Sequence, residues 1–169
     1  KKYLGAEELI QGSNRYCLWI KDEDIEEANK ISEIQRRIHK VKEFRLKSKA
    51  KETRAGAAIS HRFIQIQSEP KEGLVIAITT SEKRDYIPMD FISSDTVVSP
   101  RLYVIYGAES YLFSLLNSIV HTIWVKCVAG RLETRLNYSS SLCYNSFPII
   151  KDIYNYKNEM QEATFKILQ

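Results

Sequence analysis

The chain has 169 residues, 44% of them hydrophobic and 27% charged, with a net charge of +4 and a pI near 8.9. That composition suits one globular domain or two small ones packed together; there is no low-complexity stretch or internal repeat, and no apolar run reaches the roughly 18 residues needed to cross a bilayer. The charge excess is too small by itself to demand a polyanionic partner.

The chain opens Lys1-Lys2-Tyr3, with neither an initiator Met nor a signal-peptide core, and stops abruptly at Leu168-Gln169, so a piece of a longer protein is expected. Turn-forming Gly12-Ser13-Asn14 precedes an apolar run, Tyr16 to Ile20, which reads as a buried strand. Acids at Asp22 to Asp24 then suit a helix start. Ile31, Ile34, Ile38 and Val41 recur at spacings of three, four and three, the apolar stripe of one long helix running to about Arg54 and stopped by Gly56. Strands are expected over His61 to Gln67, Leu74 to Thr80, Tyr86 to Ile92, Thr96 to Val98 and Leu102 to Tyr106, with Pro88 marking an edge or irregular strand. From Glu109 the apolar residues Leu112, Leu115, Leu116, Ile119, Ile123 and Cys127 fall at helical spacing, and Gly130 ends that helix. A polar, β-prone segment from Arg131 to Ser141 follows. A last helix is predicted from Ile150, with Ile153, Tyr156, Met160, Ala163 and Ile167 on one face. The fold class these elements spell is α+β: a mixed, mainly antiparallel sheet with a long basic helix up to about residue 100, then a mostly helical part over 101–169.

Charge is sorted along the chain. Residues 22 to 33 hold six acids and one base, whereas residues 36 to 54 hold nine bases and two acids. On a continuous helix Arg36, Lys40, Lys47, Lys51 and Arg54 lie within about 60° of one another, a row able to follow a phosphate backbone; a solvated amphipathic helix would show the same pattern. The loop Ser81 to Tyr86 offers Ser81, Lys83 and Arg84 to phosphates, or is simply a hairpin. If 131–138 forms one strand, Arg131, Glu133, Arg135 and Asn137 point to one side. Arg, Glu and Asn are the side chains that read guanine, cytosine and adenine edges in the major groove, although a surface salt-bridge ladder would look alike.

Catalytic signatures are missing: there is no glycine-rich phosphate loop, nucleophile elbow, His-Glu-x-x-His or Asn-Pro-Pro-Tyr, and the chain has six glycines in all. Three cysteines, Cys17, Cys127 and Cys143, stand far apart among apolar neighbours and read as buried thiols of a reducing, cytoplasmic compartment. With His39, His61 and His121 they form no ligand spacing, so no metal is expected.

Several ordered segments resemble the target-recognition region of MmeI-like enzymes, the type IIL restriction–modification proteins with adenine-N6 methyltransferase activity. They are Gly5-Ala6-Glu7-Glu8-Leu9-Ile10 with Arg15-Tyr16-Cys17-Leu18-Trp19, then Val41-Lys42-Glu43-Phe44-Arg45 with Ser48-Lys49, then Ser81-Glu82-Lys83-Arg84-Asp85-Tyr86-Ile87-Pro88. Trp124, Gly130-Arg131-Leu132, Asn137-Tyr138-Ser139 and Tyr144-Asn145-Ser146-Phe147-Pro148 complete the series. The chain departs from the family pattern at Ser146, where Asn is usual, and at Asn137-Tyr138, where Arg-Tyr is common. The resemblance implies that Glu133 and Arg135 read one base pair beside the methylated adenine. Chemistry agrees: Arg donates twice to guanine and Glu accepts from cytosine N4, so one C·G pair satisfies both. Asn137 is a secondary candidate. It also implies that the partners are double-stranded DNA and a methyltransferase domain of the same parent chain. S-adenosylmethionine would be held in that domain and no cofactor here. A general RNA- or single-strand-binding domain, or a protein-interaction subunit, are the rival readings.

Overall fold

The computed structural model describes residues 1–65 and 70–169. In chain order it forms strand β1 (Lys2–Leu4), helix α1 (Ala6–Gln11), strand β2 (Arg15–Tyr16) and helices α2 (Ile25–Ala28), α3 (Ser32–Leu46) and α4 (Lys51–Ala55). Five strands follow, β3 (Gly73–Ala77), β4 (Thr79–Ser81), β5 (Met89–Ile92), β6 (Thr96–Val98) and β7 (Leu102–Tyr106). Helices α5 (Ser110–Leu116) and α6 (Ile119–Val128), strands β8 (Gly130–Leu132) and β9 (Arg135–Asn137), a π-helical turn Ser140–Tyr144, a 3-10 segment Lys151–Tyr156 and helix α7 (Lys157–Leu168) complete the chain. The class is α+β, as expected. Among the described residues no single helix is long and apolar enough to cross a membrane.

Two compact units result, one of Lys1 with Tyr16–Ser68 and one of Lys2–Arg15 with Glu69–Gln169. Neither begins or ends at residue 100, because β3 pairs antiparallel with both β5 and β7 and so carries one ladder across that position. The expected single sheet is instead several small ones: β1 runs parallel to β6, β5-β3-β7 is antiparallel, and so is β4-β9-β8.

In the larger unit β3 explains the continuous apolar run of the sequence. Leu74 and Ile76 point to a core cluster with Ile87, Met89, Phe113, Leu116, Val125, Leu136 and Tyr138. Val75 and Ala77 point the other way, to Leu4, Ile92 and Leu102. Both faces of the strand are covered, so period-two alternation disappears. The strand expected from Tyr86 starts after Pro88, whose carbonyl accepts the Ala77 N–H at 3.0 Å, and lies at the edge of its sheet.

The helix expected from Glu109 is two helices bent by 57°. Ser118 makes the break: as the N-cap residue of α6 its hydroxyl accepts the His121 N–H at 3.1 Å. Helix α7 is tied to α5 by two hydroxyls, Thr164 donating to the Ser110 carbonyl at 2.7 Å and Ser114 to that of Met160 at 2.8 Å. Its fully buried residue is thus Thr164, while Tyr156 and Ile167 of the predicted apolar face are exposed. Cys143 is buried as expected, but Cys127 is exposed on α6. At the N-terminus Glu8 is a buried acid; it accepts from the Gly5 N–H at 2.8 Å and forms an ion pair with Arg15 at 2.9 Å. A Cβ at Gly5 would come within 2.7 Å of that carboxylate, so any larger residue there would displace the Glu8 side chain from its contacts with the Gly5 N–H and Arg15.

In the smaller unit, the predicted strand Tyr16 to Ile20 does not form: Tyr16 is 73% exposed and Leu18 45%. No strand forms over 61–65 either, and residues 66 and 67 of that expectation lie outside the described residues. The single helix to Arg54 is broken between Leu46 and Lys51, where the Ser48 hydroxyl takes the Ala50 N–H at 3.2 Å and offers the backbone an alternative to the helical ladder. Arg45 ties α3 to the segment that follows α4. Its guanidinium donates to the carbonyls of Gly56 at 2.7 Å, Ile59 at 2.9 Å and Arg62 at 2.8 Å. Burial pushes that guanidinium below its ordinary pKa. A planar fork is needed to reach three separated acceptors. Arg45→Ala is therefore expected to destabilise this unit by about 2 kcal/mol, read as lost amide hydrogen-exchange protection over 56–62; unchanged protection there would contradict it.

Candidate nucleic-acid interface

The polar stretch after Gly130 is a hairpin. Leu132 stands opposite Arg135 and Gly130 opposite Asn137, joined by the two-residue turn Glu133-Thr134. On its other edge β9 pairs with β4, Thr79 opposite Asn137, Thr80 opposite Leu136 and Ser81 opposite Arg135. Directly opposed residues share a face of the sheet. Leu136 and Thr80, 1% and 3% exposed, face the core. Arg135 and Asn137 therefore point outward, and both are exposed.

This placement corrects the single-strand expectation. Arg131 lies opposite Leu136 on the other side of the ladder, and its guanidinium is held by Glu82 at 2.9 Å and the Lys126 carbonyl at 3.2 Å. Glu133 is in the turn, not in a strand, at φ 58°, the one non-glycine residue with positive φ among those described. Its carboxylate meets Arg135 at 2.9 Å with both side chains largely in solvent. A left-handed conformation costs a side-chain-bearing residue about 1 kcal/mol, and such strain gathers where a side chain is needed for function.

Ser81, at the end of β4, accepts the Lys83 N–H on its hydroxyl at 3.2 Å and the Arg84 N–H on its carbonyl at 3.2 Å. That tight turn leaves Lys83 and Arg84 exposed. In the smaller unit Arg36 and Lys40 lie on α3, Lys47 caps its C-terminus, and Lys51 and Arg54 lie on α4. The break at 47–50 divides the five cations that a continuous helix would have aligned. Arg36 pairs with Glu33, and Arg54 folds back onto the carbonyls of Ser48 at 2.9 Å and Lys49 at 2.8 Å. Lys40, Lys47 and Lys51 are exposed.

The family described as MmeI, target recognition domain, matches residues 1–151. The chain belongs to the MmeI target recognition domain family. It is 42% identical over 168 residues to DNA methyltransferase A of Bacillus subtilis (strain 168), covering 99% of this chain and 19% of that protein. A solved structure of the type IIL restriction–modification enzyme MmeI in complex with DNA superposes with a TM-score of 0.88 at 41% identity, covering 99% of this chain and 22% of that one. The chain thus spans about a fifth of the length of these two relatives.

Within this target recognition domain, sequence reasoning missed Arg45, which looks like one more cation of a basic block, and buried His121. The imidazole Nε2 lies 3.1 Å from the Tyr138 hydroxyl, and Phe147 meets the ring edge-on at 4.6 Å between centroids. Burial holds its pKa down at about 4 and pushes that of Tyr138 up. A lone His among apolar residues at helical spacing carries no signal of this. A cavity of about 400 Å³ in the smaller unit is lined by Arg37, Lys40, Arg45 and Arg62 among mostly apolar side chains, with no carboxylate in its lining to face the sulfonium cation of S-adenosylmethionine. Among the described residues no cluster of His, Cys, Asp and Glu could hold a metal ion.

Proposed function

We propose that this chain is the duplex-DNA reading module of an adenine-N6 DNA methyltransferase, or of a fused restriction–modification enzyme, working in the cytoplasm. It recognises a sequence so that a catalytic domain elsewhere in the parent chain, carrying S-adenosylmethionine, flips out and methylates an adenine. The observation that carries the reading is the hairpin: Glu133 stands exposed in its turn, and Arg135 and Asn137 stand exposed on a strand whose other face is locked in the core. A two- or three-stranded ribbon of this kind fits a major groove. Glu133 and Arg135, already in contact, match the acceptor and donor pattern of one C·G pair, and Asn137 matches adenine. Lys40, Lys47 and Lys51, with Arg36, Lys83 and Arg84, supply phosphate contacts, which set affinity and register without reading sequence. Ser81 adds a hydroxyl. Arg54 and Arg131 serve first as braces of their own loops, through the carbonyls and the carboxylate described above. Family membership, the methyltransferase relative and the likeness to MmeI bound to DNA favour duplex DNA over RNA or an acidic protein.

Binding to duplex DNA is expected to fall steeply with salt. Replacing Lys40, Lys47 and Lys51 together by Ala should weaken binding to all sequences alike. It should also lower the slope of log K against log salt by up to about 2 to 3, near 0.9 per lost phosphate contact. Filter binding across a salt series checks this; parental affinity and slope in the triple variant would remove the basic helices from the interface.

A further inference from the structure

The outward face of the β4-β9-β8 sheet has two rows. Ser81, Arg135 and Leu132 form the row next to the turn; Thr79, Asn137 and Gly130 form the second. Thr79 lies on β4 directly across from Asn137 and is partly exposed. Gly130 stands on the other side of Asn137, where an added Cβ would find its nearest neighbour, the Asn137 Cβ, 4.0 Å away, so that flank is open. Rows two residues apart along a strand are about 6.7 Å apart, close to two base-pair steps of about 3.4 Å. On a strand laid along the duplex axis, the second row would therefore meet a different base pair from the first.

We infer that Thr79 is a specificity-determining residue of this domain, reading with Asn137 a second base pair of the A·T type: Asn137 bonds adenine, and the Thr79 methyl packs on the thymine C5-methyl. The inference rests on the reading of the hairpin as a base-reading element. An Asn amide donates to adenine N7 and accepts from its N6 amino group, and a Thr methyl is a suitable neighbour for the thymine methyl, which also lies in the major groove. Cβ atoms opposed across an antiparallel pair are about 5 Å apart, so the two side chains reach one base pair together. The residue between them and the turn rows, Thr80, faces the core, which leaves β4 only Thr79 and Ser81 to present outward.

The test uses the full-length protein that carries this chain. Its recognition sequence is read from the sites it methylates. Each thymine of that sequence is then replaced singly by deoxyuridine, which removes the C5-methyl and nothing else. Methylation should slow about three- to fivefold at one thymine, the worth of one buried methyl group. In Thr79→Ser that thymine should become indistinguishable from deoxyuridine, while in Thr79→Val, which keeps the methyl and suits a strand, the discrimination should remain. Discrimination surviving in Thr79→Ser at every thymine, or no thymine showing it in the parent, overturns the inference. The paired substitution Glu133→Lys with Arg135→Asp separates the two failures. If that exchange alters the motif while Thr79→Ser leaves discrimination intact, the inference about Thr79 falls and the reading face stands. If neither changes anything, both fall.

Discussion

Exchanging the charges of the turn, Glu133→Lys with Arg135→Asp, should convert one C·G pair of the recognition sequence to G·C in the full-length protein. Lys donates to guanine and Asp accepts from cytosine, so the same two positions satisfy the inverted pair with strand roles reversed. The Glu133–Arg135 contact of 2.9 Å places the two side chains at adjacent points, and the double exchange keeps opposite charges there. Either single exchange juxtaposes like charges and leaves one base unpaired, so activity should fall at both the old and the new site. Each mismatched contact costs about 1–3 kcal/mol, roughly 5- to 150-fold in site preference. Sequencing the methylated sites decides it. An unchanged motif at normal activity in the double variant would show that these residues read no base. Phosphate contacts would instead give uniform weakening with the motif intact.

Acid should unfold the larger unit through His121. The folded pKa of about 4 lies below the ordinary value of 6.5. The folded state thus keeps a neutral ring where the unfolded chain takes up a proton. Stability from this group is fully present above pH ~6.5 and is lost as pH falls toward ~4, at about 1.4 kcal/mol per pH unit. The loss should reach about 2 kcal/mol by pH ~5 and about 3 kcal/mol by pH ~4. Denaturant titrations at several pH values measure it. His121→Phe should be less stable near neutrality, because the Tyr138 hydroxyl loses its partner, yet its stability should vary far less between pH ~7 and ~5. An equal pH slope in that variant would refute the assignment.

How much of this was legible in the residues differs by element. The run Leu74 to Ala77 announced a buried strand because both of its faces are covered. Leu102 to Tyr106 and Thr96 to Val98 were legible through their β-branched and aromatic content. Helical spacing found α5, α6 and α7, but not the bend between α5 and α6, since Ser118 acts through a cap whose effect shows only once the chain is folded. The row of five cations presupposes one continuous helix, and the chain breaks that helix where the Ser48 hydroxyl takes the Ala50 N–H. The hairpin was read as one strand because Glu-Thr is an unusual turn pair, and nothing local signals a left-handed glutamate. Its outward residues Arg135 and Asn137 carry base-reading chemistry that the sequence alone displays, whereas Thr79 comes beside them only through the pairing of β4 with β9.

Along β9, Leu136 is committed to the core while its neighbours Arg135 and Asn137 meet solvent, and the turn at Glu133 is anchored through backbone pairing on both sides. Substitution at these outward positions removes no buried contact, so under the proposed reading changes of recognition sequence and changes of fold stability are nearly independent variables. A lineage of such proteins would then be free to drift in what it recognises by nucleotide changes at two or three codons, with intermediates that remain folded and are purged, if at all, for what they bind. Divergence of specificity in such a lineage should then run ahead of divergence in the core, with Leu136, Tyr138 and Leu74 changing slowly beneath a rapidly varying outer face.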